Sequence, residues 1–392
     1  MSIFRDFFVK EKPVFTGITR GVGGFGFGSG GGGGAAGPNI NTKGSGGVIE
    51  LADNGMVTHI FVTPGVDAST GEGGAFDPDT SQTFVADQNI PGVLFFVIGG
   101  GGGGGYAGGG GAGGAVSNAI TGSTITVPAG TYPVTIGGGG HSNWSYSNAG
   151  NYGTPSFPAP QPFPVAKAND GPKDGQNSVW NGYTGMGGGC GGTEFGPGGY
   201  SGNPSGPHGN PGGCGGGGAQ FSGNGPAAGG DNRQTSTHGP EQPQGPQGTN
   251  YGKDGGNGRG GNYVGGGGGG IGAAGGAAPT DPGPGNSQGG NGLMIPICPP
   301  NYGTAGPSPG RWLGGGGGAS NYPSTSYAGG AGGGNDGNIL FPDTTKSLGW
   351  DSPSDIPSNF HTGGGGGGGA NHNNRQPTRG NPGIVIIAYP DS

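Results

Sequence analysis

Of the chain's 392 residues, 114 are Gly and 36 are Pro, hydrophobic residues make up 28% and charged residues 9%. Gly and Pro are the two poorest helix formers, which excludes a helix bundle. So little apolar side chain also excludes an ordinary enzyme core, because burial could not offset chain entropy. The formal net charge of -7 offers no general attraction to nucleic acid or to anionic membranes. Collagen needs Gly at every third place, whereas here Gly comes in solid runs such as 99–105.

Residues 1–28 read as an attachment segment. Phe4, Phe7, Phe8 and Phe15 crowd its opening, and Phe25 and Phe27 follow in a Gly-rich stretch. Pro13 ends any short helix begun at Ile3. Charges at Arg5, Asp6, Lys10, Glu11 and Lys12 interrupt the apolar pattern, so this is not read as a secretory signal. So many aromatic rings are costly to expose, and the segment is expected to dock on another component, the alternative being that it folds back on its own chain. Residues 29–46 form a Gly-rich connector.

Residues 47–136 read as a small β unit. Stretches at 47–51, 57–62, 83–85, 93–98, 123–127 and 132–136 are β-branched or aromatic and are punctuated by Gly, Pro, Asn and Asp. A further apolar stretch lies at 383–389, almost at the C-terminus. It needs partners, and the N-terminal unit is the nearest supply. Residues 381–392 are therefore assigned to the same small sheet or sandwich.

Between 137 and 380 pure Gly runs alternate with polar, Pro-rich, aromatic-bearing segments. A flexible linker is one reading of a Gly run. The other is a polyglycine II helix of polyproline II type, with three residues per turn and no internal hydrogen bonds. Linkers usually mix Gly with Ser and charge, yet 265–270 and 363–369 are pure Gly. The expected fold is thus mostly irregular and polyproline II, a packed bundle of such helices joined by long loops, with almost no α-helix.

Cys190 and Cys214 occupy similar Gly-rich surroundings and Cys298 stands apart. A disulfide between two runs is one reading, and a pair of small buried residues is the favoured one. Neither a nucleophile elbow, a Walker loop, HExxH nor EF-hand spacing occurs, and no catalytic, metal or cofactor site is assigned. His361 and His372 flank a Gly run but read as solvated loop residues.

The loops carry the functional expectation. Aromatics set among Asn, Ser, Thr and Gly have the composition of recognition loops, where Tyr and Trp supply rigid contact area. The receptor-binding candidates are Trp144, Tyr146, Tyr152, Trp180, Tyr183, Tyr302, Trp312 and Trp350. The competing reading for each ring is that it shields an end of the bundle.

Three stretches carry a resemblance: Val57-Thr58-His59-Ile60-Phe61-Val62-Thr63-Pro64-Gly65, Val93-Leu94-Phe95-Phe96-Val97-Ile98-Gly99-Gly100, and Ile125-Thr126-Val127-Pro128-Ala129-Gly130-Thr131-Tyr132-Pro133-Val134-Thr135-Ile136-Gly137-Gly138. With the closing Gly383-Ile384-Val385-Ile386-Ile387-Ala388-Tyr389-Pro390, they resemble the glycine-rich domain of phage virion and tail-fibre proteins. The opening Ser2-Ile3-Phe4-Arg5-Asp6-Phe7-Phe8-Val9-Lys10 is similar to a leader of glycine-rich structural proteins from marine tailed phages. Alternating runs and loops resemble tail-fibre tip adhesins of T-even-like phages, although here a β unit precedes most of the runs. The resemblance implies a non-enzymatic virion protein held through its N-terminus to other virion proteins. It also implies loops that bind a host polysaccharide or outer-membrane protein, with homo-oligomerisation left open and no nucleic acid partner. The alternative is a capsid or tail decoration protein without a receptor.

Overall fold

The computed structural model describes residues 42–51, 55–63, 79–142, 172–193, 208–219, 226–235, 248–259, 264–279, 286–321, 325–337, 339–340, 361–369 and 375–391. Ile40–Ser392 group as one compact unit, and the other unit, Met1–Asn39, lies outside the described residues. The proposed attachment residues Phe4, Phe7, Phe8, Phe15, Phe25 and Phe27 are therefore outside them too. Among the described residues there is no helix; they form strands, extended segments and turns.

Two antiparallel sheets face each other. The smaller has the order β1 (Gly44–Ser45), β4 (Asp79–Ala86), β8 (Gly130–Ile136), β9 (Ser178–Trp180) and β10 (Tyr183–Gly185). The larger runs β12 (Thr249–Tyr251), β6 (Ala115–Ser117), β5 (Ile90–Ile98), β20 (Ile384–Pro390), β3 (Met56–Phe61) and β2 (Val48–Leu51), with β7 (Ile125–Val127) also on β5. The C-terminal strand is thus central. Ile384 stands opposite Ile98 on one side, and Val385 opposite Phe61 on the other. The pairing of the two ends of the chain expected from sequence is present.

Strand alternation divides the apolar side chains between two layers. Val93, Phe95 and Val97 of β5, with Val385, Ile387 and Tyr389 of β20, fill the space between the sheets. Phe96, Ile98, Ile384 and Ile386 point the other way, against Ile271, Ile295 and Leu313. The central strands are buried on both faces, which is why they read as continuous apolar runs.

One polar pair sits in the inner layer. His59 is fully buried, with Nδ1 2.8 Å from the Gly46 carbonyl and Nε2 2.8 Å from the Tyr389 hydroxyl. A carbonyl only accepts, so Nδ1 carries the proton and Nε2 accepts from Tyr389. Burial lowers the His59 pKa from 6.5, the Gly46 bond opposing it in part, and pushes the Tyr389 hydroxyl up to about 12.

The Gly runs continue the strands. Ile98 leads into 99–105, Ile136 into 137–141 and Gly185 into 186–192, while 108–114 leads back into Ala115. Along 99–105 every N–H donates to another segment in a three-residue cycle. Gly99, Gly102 and Gly105 donate to Gly114, Gly111 and Gly108; Gly100 and Gly103 to Gln176 and Lys173; Gly101 and Gly104 to Asn381 and Thr378. The carbonyls follow the same cycle, Gly100 and Gly103 accepting from Gly188 and Gly191 and Gly102 and Gly105 from Gly366 and Gly369.

Run 108–114 is the axis of the array. It bonds to six runs, 99–105, 186–192, 214–218, 265–270, 314–318 and 363–369, each of which also bonds to the next around it. Outside this ring lie 137–141, 173–176, 209–212, 228–231, 252–257, 273–278, 286–292, 327–331, 334–337 and 378–381. The array therefore begins at 99 rather than at 137, with its first hairpin innermost.

Close approach of backbones explains why the inner runs are pure Gly. A Cβ on Gly268 would lie 1.9 Å from the Gly110 carbonyl oxygen, and one on Gly102 2.3 Å from that of Gly189. On the perimeter, one residue in three points outward and can carry a side chain. The tetrads Ala228-Gly-Gly-Asp231, Asp254-Gly-Gly-Asn257, Ala274-Gly-Gly-Ala277, Gln288-Gly-Gly-Asn291 and Ala328-Gly-Gly-Ala331 follow this rule, with nine of these ten flanking residues exposed and Ala331 half-buried. Asn and Asp here take N–H groups that lack a further run: Asn257 Oδ1 accepts from Gly229 at 2.9 Å, Asn291 Oδ1 from Ala331 at 3.0 Å and Asp174 Oδ1 from Cys190 at 2.8 Å.

Two outcomes follow from this packing. Gly268→Ala is expected to cost about 3 kcal/mol or more in thermal or denaturant unfolding, whereas Ala277→Ser stays within about 0.5 kcal/mol. Equal effects of the two substitutions would contradict the inward and outward assignment. For His59, the lowered folded pKa means that the unfolded chain binds the extra proton first as pH falls. Stability from this group is complete above about pH 6.5 and declines as pH drops through 6.5 towards the folded value. Melting temperature measured from pH 7.5 to 5 should fall, and His59→Gln should flatten that slope.

Candidate functional site

The fold has two poles. At one, β1 enters beside Ala86, and Pro390 leaves beside Met56, so both termini of the described unit lie at the ends of strands that point away from the array. At the other pole runs reverse direction, and seven connections between described segments start and finish there. By contrast, 64–78 and 236–247 have their feet on the sandwich side, and 341–360 ends there at His361. Residues 143–171 join His141–Ser142 to 172–173, whose backbones meet in a bond from the Lys173 N–H to the His141 carbonyl at 2.9 Å. Connections 194–207, 220–225, 260–263, 280–285, 322–324 and 370–374 have their described feet at the same pole.

Short ladders brace these feet. β11 (Pro226–Ala227) pairs with β13 (Gly258–Arg259), and β16 (Ser320–Asn321) with β17 (Thr325–Ser326). Val264 bridges to both Arg259 and Asn321, joining the two ladders. β18 (Ile339–Leu340) pairs with β19 (Arg375–Gln376) nearby. β14 (Leu293–Met294) and β15 (Trp312–Leu313) form the remaining ladder, on the sandwich side. β16–β17 holds together the two feet of 322–324, and the Arg259–Val264 bridge those of 260–263, while β11–β13 and β18–β19 tie feet of different connections to one another.

The aromatic candidates divide. Trp144, Tyr146, Tyr152 and Trp350 lie outside the described residues. Trp180 is fully buried and Tyr183 is 5% exposed, both between the two sheets. Their rings stack with centroids 6.0 Å apart, and Phe95 lies 4.1 Å from Tyr183. Tyr302, also 5% exposed, packs on the outer face of the larger sheet. These three rings are core, and the expectation that they contact a ligand is corrected. Large aromatic rings gain more by burial between sheets than in solvent. Trp312 is half-buried on β15, its indole Nε1 donating to the Ser308 carbonyl at 3.1 Å, on the sandwich side.

A local signal marked the first correction. Trp180-Asn181-Gly182-Tyr183 carries the Asn-Gly pair that favours a two-residue hairpin turn, and Asn181 and Gly182 adopt φ of 47° and 79°. The hairpin places both flanking aromatics on one face of β9 and β10. Tyr106, which no sequence reading singled out, stands instead at the loop-bearing pole, half-buried at the apex between runs 99–105 and 108–114.

The three cysteines are free thiols. Cys190 and Cys214 are fully buried; burial raises both, Cys190 further through Asp174 and Cys214 to about 12. Cys298 is likewise raised to about 12. His361, expected to be a solvated loop residue, is instead buried, with Nε2 3.2 Å from the Thr63 hydroxyl at the sandwich side of its run, and His372 is outside the described residues. Among the described residues no three His, Cys, Asp or Glu side chains converge as a metal site, and no helix is long and apolar enough to cross a membrane. No family model, curated protein or solved structure matches this chain.

Burial and raised pKa together predict inert thiols. Iodoacetamide at pH 8 should label neither Cys190 nor Cys214 in the native protein and all three cysteines after denaturation. Native labelling of Cys214, read by mass spectrometry, would mean that the Gly array opens.

Proposed function

We propose that the chain is a non-enzymatic phage virion protein, attached through its N-terminus to a tail fibre or another virion component and binding the host surface through its loop-bearing pole. The separation of the two poles carries this reading. Residue 42, the first described, lies at the end opposite to that where seven connections have their feet. An attachment end and a display end are what an adhesin needs. Likeness of the β stretches and of the opening residues to glycine-rich phage proteins supports the same assignment.

The runs themselves are read as polyglycine II helices. The three-residue hydrogen-bond cycle and the bonding of each inner run to its neighbours support that geometry. Such a scaffold is rigid without a large apolar core and lets loops differ freely at its tip. A decoration protein without a receptor would have no need for long connections at one pole.

Adsorption tests the proposal. Purified full-length protein is expected to bind host cells and to compete with the phage. Replacing 143–171 by a short Gly-Asn linker between the bonded feet at His141 and Lys173 should leave melting unchanged and weaken adsorption. Unchanged adsorption after replacement of every polar loop at this end, or electron microscopy placing the protein on the capsid wall, would favour decoration.

A further inference from the structure

Five Asn-Gly pairs occur in the chain, Asn54-Gly55, Asn181-Gly182, Asn224-Gly225, Asn257-Gly258 and Asn291-Gly292. In such a pair the side-chain amide carbon can close a five-membered ring with the next backbone nitrogen, and Gly puts no side chain in the way. Three of the pairs lie wholly within the described residues, and their surroundings differ. At Asn291 the carbonyl accepts from Gly272 and Ala273 at 3.0 and 2.9 Å, and the Gly292 N–H donates to Ala331 at 2.7 Å. The side chain is tied as well, Oδ1 accepting from the Ala331 N–H at 3.0 Å. Asn257 is held in the same way. Its carbonyl accepts from Ala278 at 2.8 Å, its Oδ1 accepts from Gly229 at 2.9 Å, and the Gly258 that follows is buried in β13.

Asn181-Gly182 is the exception. Both residues are exposed at the tip of the β9–β10 hairpin, which projects away from the array because Ser178 and Gly185 form its array-side end. A Cβ placed on Gly182 would meet nothing within 4 Å. Among the described residues, no hydrogen bond holds the Asn181 amide or the Gly182 N–H. The turn must flex for the nitrogen to reach the amide carbon. An exposed tip of a short hairpin opens at far lower cost than a run bonded on all sides.

We infer that Asn181 is a modification site, at which the folded protein deamidates spontaneously in water and so records its age. The Gly182 nitrogen, its proton taken by solvent base, bonds to Asn181 Cγ. The bond from Cγ to the amide nitrogen breaks, and ammonia leaves with a proton taken from water. A second water then opens the succinimide ring at either carbonyl. One product is an aspartate; the other is an isoaspartate, whose main chain runs through the former side chain and is one carbon longer. Each adds a negative charge to the turn. The longer form does not fit the two-residue turn that sets Trp180 opposite Tyr183 between the sheets. β10 is the edge strand of the smaller sheet, bonded there to β9, so lengthening the turn loosens that edge first.

The experiment ages the full-length protein in weakly alkaline buffer made with heavy-oxygen water and follows conversion by peptide mapping and mass spectrometry. In the native protein, heavy oxygen should enter at 181 roughly tenfold faster than at 257 or 291. After denaturation the three pairs should react at comparable rates. Native conversion at 181 no faster than at 291 overturns the assignment, because the denatured sample shows that the chemistry itself proceeds. Asn181→Gly removes the amide and leaves a Gly-Gly pair that still suits the turn. Aged wild type should melt earlier than fresh protein, whereas Asn181→Gly aged alongside it should keep its melting temperature. Equal loss in both proteins places the ageing elsewhere and overturns the role of this turn. Unchanged melting of fully converted wild type overturns the loosening of β10.

Discussion

Backbone hydrogen bonding between extended Gly segments is the interaction on which the rest of this molecule depends. Each N–H of 99–105 finds a carbonyl on a neighbouring segment, and every neighbour around 108–114 is bonded to the next. Fixing a residue costs about 1–2 kcal/mol of backbone entropy, and Gly is costlier than most. One hydrogen bond returns about 0.5–1.5 kcal/mol, so bonding alone does not close that gap. The remainder comes from dense backbone contact and from cooperative closure of the array. Only a residue without Cβ permits this approach from every side.

This constraint organises the sandwich as well. Strands and runs are collinear, so a register set in the sheets is transmitted into the array without an intervening turn. Ile98 facing Ile384 in the sheet fixes the positions at which 99–105 and 378–381 meet beyond it. The outer face of the larger sheet uses Ile271, Ile295 and Leu313 as a cover, and these residues belong to the junctions of the runs. Side-chain core and backbone core are therefore parts of one cooperative body. Its edges are closed by Asn, Asp and Thr oxygens that accept the N–H groups left over where no further run exists.

Much of this is legible along the chain. Apolar alternation and β-branched residues mark β3, β5, β8 and β20, because burial between layers demands them. Pure Gly marks inner segments, because a Cβ would collide with a carbonyl oxygen. The x-Gly-Gly-x tetrads, overlooked in the sequence reading, mark outer segments for the complementary reason. The short strands β6, β9, β10 and β12 were not expected. Each is only three residues long; β6, β9 and β12 gain pairing from strands distant in sequence, as with Thr249–Tyr251 against Ala115–Ser117, while β10 pairs with β9 across the Asn181-Gly182 turn.

The candidate surface was less legible than the fold. Composition drew attention to Trp and Tyr wherever Asn, Ser and Gly surrounded them, but those neighbours serve a hairpin turn and a binding loop equally well. The sequence by itself determined that side chains could not supply most of the core, that Gly runs had to do so, and that the C-terminal apolar strand needed partners from the N-terminal β unit. These follow from composition and local periodicity. Only the tertiary structure decided which runs are inner, that Trp180, Tyr183 and Tyr302 are buried, and that Tyr106 stands at the loop-bearing pole. Such placements depend on which of many nearly identical Gly segments pair, and that choice is made by the register of the sheets to which they are joined.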